Sequence, residues 1–168
     1  MKLQNIDKQL YRSRLNIVIV ACIAFLALSS LAISQLLIHL FPDESGSHFH
    51  WNLLGVIVSA IAVVATLIKL KGHPKMYEVA YVWDLKQALN LIYRKNRALQ
   101  AAAEEGNADA MLALQFSYEG SRQLWKLDDN TITINTLEVA QRKLDELAEK
   151  YGVELDVTHY NSEILRSF

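Results

Sequence analysis

A chain of 168 residues has the length of one ordinary domain, yet 52% of it is hydrophobic while 21% is charged, an average that combines two unlike parts. Residues 1–75 hold seven basic side chains (Lys2, Lys8, Arg12, Arg14, Lys69, Lys71, Lys75) against three acids (Asp7, Asp43, Glu44), about +4, and the net charge of -1 leaves about -5 for the rest. The acidic second half argues against nucleic acid as a partner, and the single cysteine, Cys22, excludes an internal disulfide and a thiolate zinc site.

Residues 1–14 read as a basic, cytoplasmic N-terminus. Residues 15–40 follow without one Asp, Glu, Lys or Arg. About 20 apolar residues suffice to cross the hydrocarbon of a bilayer, so this segment is expected to span it. The run is too long for a signal-peptide core and ends in no small-x-small cleavage site, which favours an uncleaved anchor. Residues 41–51 form a short loop with Pro42, Ser45 and Gly46. Residues 52–70 make a second span, with Trp51 at one interface and Lys69 and Lys71 at the other.

So short a loop predicts an antiparallel hairpin. The loop carries no Lys or Arg and the flanks carry all seven, so the positive-inside rule places both termini in the cytoplasm. Ala27, Ser30 and Ser34 in the first span and Gly55, Ser59, Ala62 and Thr66 in the second fall on stripes of small residues. Such stripes let backbones approach, and their hydroxyls can bond across the pair. Neither span has an ionisable residue at mid-depth, so an anchor is a simpler account than a conduit.

Beyond Gly72-His73-Pro74, one long helix is expected from Pro74 to Glu105 within a cytoplasmic helical domain over residues 74–168. Val82, Leu85, Leu89, Ile92, Asn96, Leu99 and Ala103 give it a heptad-like seam. Gly106 closes it and Asn107 caps a second helix over residues 108–127, with Met111, Leu114, Tyr118, Ser121 and Trp125 on one face. A third opens with Asn135 and Glu138 as a capping box and Ile134 with Val139 as a staple. It carries Leu137, Ala140, Leu144, Leu147 and Tyr151 inward and ends at Gly152. Residues 131–134 and 153–157 alternate and could pair as a minor two-strand element; the tail after Thr158 is expected to be only partly ordered. The fold class is therefore an all-α membrane protein, a two-helix transmembrane hairpin followed by a bundle of about three helices.

Residues 101–120, AAAEEGNADAMLALQFSYEG, resemble one unit of the Sel1-like helical repeats, without a second copy. Residues 50–56 (HWNLLGV) and 120–131 (GSRQLWKLDDNT), with the overall layout, resemble a family of uncharacterised two-span bacterial inner-membrane proteins, a domain of unknown function. That resemblance implies an inner-membrane location and supplies no activity, cofactor or catalytic residue.

His48 and His50, with His39, Asp43 and Glu44 nearby, are the one candidate metal cluster; polar interfacial residues beside Trp51 are the plainer reading, and no metal is expected. Arg122 and Trp125, with Leu89 and Asn96 on the seam, are candidate interface residues. No Ser-His-Asp, Cys-His or phosphate-cradling glycine pattern is present, so neither catalysis nor a cofactor is expected. The partners expected are the lipid bilayer and either a second copy or another protein. The functional expectation is a membrane-tethered interaction or self-association module; the alternative is an accessory subunit of a transporter or envelope complex.

Overall fold

The computed structural model describes residues 1–42, 46–130 and 134–168, the side chains of residues 134 and 135 excepted. Its long elements are α1 (Lys8–Leu40), α2 (Phe49–Leu70), α3 (Tyr77–Arg94), α4 (Asn96–Glu104), α5 (Ala108–Asp128) and α6 (Ile134–Tyr151). Short 3-10 turns lie at Pro74–Met76, Val157–His159 and Ser162–Ser167. The fold is all-helical, with no strand among the described residues. The chain divides into two compact units: a hairpin unit, Gln9–Ala80, and a helical domain made of Met1–Lys8 and Tyr81–Phe168.

In the hairpin unit, α1 has 33 residues and α2 has 22. At about 1.5 Å per residue they are about 50 and about 33 Å long, and both are long and apolar enough to cross a membrane. α1 starts at Lys8, well before the apolar run, because residues 8–14 contain no helix breaker and Asp7 precedes them as a favourable N-cap type. The break at Gly72-His73-Pro74 is where the sequence places it. Pro74 opens a 3-10 turn, and the His73 imidazole accepts the Lys75 N–H at 3.2 Å.

The expected helix from Pro74 to Glu105 is interrupted at Lys95, so the domain has four helices, α3–α6, where three were expected. Lys95 lies off the helical region (φ -104°, ψ 6°), and its N–H turns back to the Ile92 carbonyl at 2.9 Å. No Gly or Pro marks this position. A long-range contact does: the Lys95 ammonium donates to the Leu165 carbonyl at 2.5 Å.

Helix α5 is the centre of the domain, with α4, α6 and both C-terminal 3-10 turns packed on it. Its core is accordingly wider than a single stripe and includes Ala110, Met111, Ala113 and Phe116, all fully buried. Asn107 caps it as expected, its side chain accepting the Ala110 N–H at 2.9 Å. Asp129 ends it in the left-handed conformation (φ 57°), which Asp tolerates better than most residues.

Three local expectations are corrected. Residues 153–156 are irregular and lead into a 3-10 turn, so the minor two-strand element does not form there; residues 131–133 lie outside the described residues. α6 begins at Ile134, which puts Asn135 inside the helix instead of at its cap, and Val139 is exposed instead of stapling. The tail is ordered by burial: Tyr160 stacks on Phe116 with ring centroids 4.1 Å apart, and Leu165 is buried.

Candidate functional site

The hairpin's close contact lies toward the loop end, at Gly55. A Cβ there would fall 2.2 Å from Ser34 Oγ and 2.9 Å from the Ser30 carbonyl oxygen, so only glycine lets α1 and α2 approach this closely. Ser34 and Ser59 are buried with it, Ser30 and Ala62 are half-buried, and Ala27 and Thr66 are exposed. The small stripes thus meet over their loop-proximal part only. Their hydroxyls do not all act as expected. Ser30 and Thr66 donate to carbonyls of their own helices, Ala27 at 3.1 Å and Ala62 at 2.8 Å, and the Ser59 hydroxyl has no partner among the described residues.

Toward the other, open end, the two helices leave an apolar cavity of about 260 Å³. Val18, Cys22 and Phe25 line it from α1, and Val63, Leu67 and Leu70 from α2, with almost no polar surface. Both sets follow i, i+4, i+7 spacing, so each helix offers one face to the gap. Met76 adds a side chain at the open end. There the Arg14 guanidinium pairs with Glu78 and also donates to the Pro74 carbonyl at 3.0 Å. This clasp holds the first turn after α2 against α1.

At the loop, Phe41 stacks on Trp51 with centroids 5.4 Å apart, and His50 tilts against the same indole at 4.6 Å. His48 is half-buried, and its carbonyl accepts the Asn52 N–H at 3.1 Å. Among the described residues no group of three metal-ligating side chains forms; Asp43 and Glu44 lie outside them.

In the helical domain the candidate interface residues separate. Leu89 is buried, while Asn96, Arg122 and Trp125 are half-buried. The heptad-like seam is the domain's own inner face: Val82, Leu85, Ile92, Leu99 and Ala103 are all buried. Exposed apolar groups of α3 lie elsewhere, at Tyr77, Trp83, Leu91 and Tyr93, which are 49%, 61%, 49% and 77% exposed.

A small polar-rimmed hollow of about 80 Å³ lies among α4, α5 and α6, bounded by Gln100, Leu114, Tyr118 and Leu144. At its edge Lys143 and Glu104 pair at 2.5 Å, which lowers the Glu104 pKa and raises that of Lys143. Burial raises the Tyr118 phenol, opposed in part by its hydrogen bond with Gln100.

Sequence reasoning missed the role of the first eight residues. They form an arm on the helical domain, fastened at Gln4. The Gln4 N–H donates to the Tyr81 hydroxyl at 2.9 Å, that hydroxyl donates to Gln123 Oε1 at 3.0 Å, and the Gln123 amide donates back to the Gln4 carbonyl. Leu3 lies near Gly120, and Lys8 pairs with Asp129. The residues joined in this ring are 42 to 119 positions apart, and no local pattern announces them.

No curated protein and no solved structure matches the chain. The family described as "Protein of unknown function (DUF3087)" matches residues 1–165, and the chain belongs to that family.

Proposed function

We propose that this chain is a two-span protein of the bacterial inner membrane, with both termini in the cytoplasm and its helical domain serving as a membrane-tethered interaction module. One observation carries the reading. α1 and α2 turn an almost wholly apolar surface outward, with Ile17 at 65%, Leu28 at 70% and Ile68 at 69% exposure. Only 6% and 11% of their most apolar stretches are buried. Water solvates such a surface poorly, and a bilayer removes the cost. Lys and Arg outside the loop support the cytoplasmic placement.

The interaction role draws on α3. Its seam is occupied by the domain core and leaves no face for a second chain there. Trp83 and Leu91 instead share an outward side of the helix, while Tyr93 points to its other flank, and the two exposed aromatics have the character of interface anchors. The role is non-enzymatic in this reading.

Reporter fusions at residues 47 and 168 should report opposite sides of the membrane for the loop and the C-terminus. A loop on the cytoplasmic side would reverse the topology. Photo-crosslinkers placed at Trp83 and Tyr93 of the full chain in cells should trap a discrete partner, a second copy included. Loss of the Trp83 adduct in Leu91→Asp would assign it to the side these two residues share; no adduct at either position would remove the interaction role.

A further inference from the structure

We infer that the cavity at the open end of the hairpin holds one acyl chain of an anionic phospholipid, whose headgroup the surrounding lysines attract. The inference rests on the membrane reading and adds a ligand to it. Two helices that pack tightly at Gly55 would be expected to bury their facing apolar stripes along their length. Here they do so only near the loop, where a Cβ on Gly55 would fall 2.9 Å from a backbone oxygen. From Val18 to Phe25 and from Val63 to Leu70 the facing stripes instead leave a half-open gap of about 260 Å³.

The shape and lining of this space match a chain of methylenes. Seven residues of helix rise by about 10 Å, so the cavity is a groove along the pair. Its one hydroxyl, Thr66, is turned to the Ala62 carbonyl at 2.8 Å, which leaves no polar group for a hydrophilic ligand. In hydrocarbon, an unfilled gap forfeits dispersion contacts that a lipid tail would restore.

The headgroup preference comes from charge. Lys69 and Lys71 flank the lining residue Leu70, and Lys75 precedes Met76. Lys69 and Lys75 are exposed and make no ion pair among the described residues. Glu78 is the one described acid of the hairpin unit, and Arg14 already neutralises it. The open end therefore carries an excess of positive charge beside an apolar groove, the complement of an anionic lipid.

Full-length protein would be reconstituted in bilayers of equal phosphatidylglycerol and phosphatidylcholine, extracted in mild detergent, and weighed by native mass spectrometry. One phosphatidylglycerol should remain per chain in preference to phosphatidylcholine. Lys69→Gln with Lys75→Gln, both on the surface, should weaken that retention about thirtyfold, at about a tenfold factor per 1.4 kcal/mol. Ala21 also lines the groove, and Ala21→Phe, which fills it, should abolish the retention. Equal retention of the two lipids, retention unchanged in the double variant, or a lipid-free dimer would each overturn the inference. Alkaline-carbonate washing of membranes from the same cells separates this from the broader reading. Release of the wild-type chain would overturn its membrane location, whereas a chain that stays in the pellet without a selected lipid would overturn the groove alone.

Discussion

A methyl group added at Gly55 would meet two oxygens, and they differ in what they can do about it. The Ser34 hydroxyl can rotate away from a Cβ 2.2 Å distant; the Ser30 carbonyl at 2.9 Å belongs to the α1 backbone and cannot. Gly55→Ala is therefore expected to force the helices apart and to destabilise the full chain in mild detergent by about 1–3 kcal/mol. Gly72→Ala, whose Cβ would point into open space, should leave the melting temperature unchanged and serves as the control. At Tyr160 the issue is a hydroxyl rather than a methyl. The ring is buried against Phe116, its OH has no partner among the described residues, and burial pushes its pKa up to about 12. An unfolded chain ionises this phenol at about pH 10 while the folded chain keeps the proton, so stability falls as pH rises from there toward about 12. Urea midpoints taken at about pH 8 and about pH 11 should show a smaller alkaline loss in Tyr160→Phe than in wild type. An equal loss in both would show that this phenol is not buried in the folded state.

Among the elements, α3, α4 and the C-terminal turns are coupled through one lysine. Lys95 interrupts what its own sequence neighbourhood would continue as a helix, and its ammonium reaches the Leu165 carbonyl in the last 3-10 turn. Leu165 itself is 5% exposed and packs with that turn on α5. Leu165→Ala is expected to cost about 2–4 kcal/mol, within the range for truncating a buried leucine. Hydrogen exchange should then accelerate in residues 157–168 and at Lys95 together. Acceleration confined to the tail would show that the break in the helix does not depend on it. The α4–α5 turn, by contrast, combines a glycine of its own with a side chain from α6. Gly106 has φ 90°, a Cβ there would fall 2.7 Å from the Tyr151 ring, and the Tyr151 hydroxyl donates to the Glu104 carbonyl at 2.8 Å. This turn lies within residues 101–120, the segment that resembles a helical repeat. The family match over residues 1–165 covers it within a larger whole.

For the whole molecule, charge placement is the quantity to test. Arg14 is taken up by Glu78, so the flank leaving α2 depends chiefly on Lys69, Lys71 and Lys75. Replacing all three by Gln should turn a single orientation into a mixture in reporter fusions at residue 168, because lysine and arginine bias sets orientation. An unchanged single orientation would assign the bias to Lys2, Lys8 and Arg12. Much of this architecture was readable from the residues in order. The apolar runs, the stop at Gly72-His73-Pro74, the cap at Asn107 and the closures at Gly106 and Gly152 each act on their own neighbours, through burial preference, a missing N–H, a side-chain acceptor or a positive φ. The seam from Val82 to Ala103 was equally readable, but periodicity alone does not say whether a stripe faces its own core or another chain; packing against the rest of the domain made it core. The sequence by itself determined two long apolar helices ahead of an amphipathic helical domain. Only the tertiary structure decided the break at Lys95, the arm held at Gln4, the order of the tail and the gap between α1 and α2. Each of those depends on contacts between residues far apart in the chain, where the stabilising group leaves no mark on the local pattern it alters.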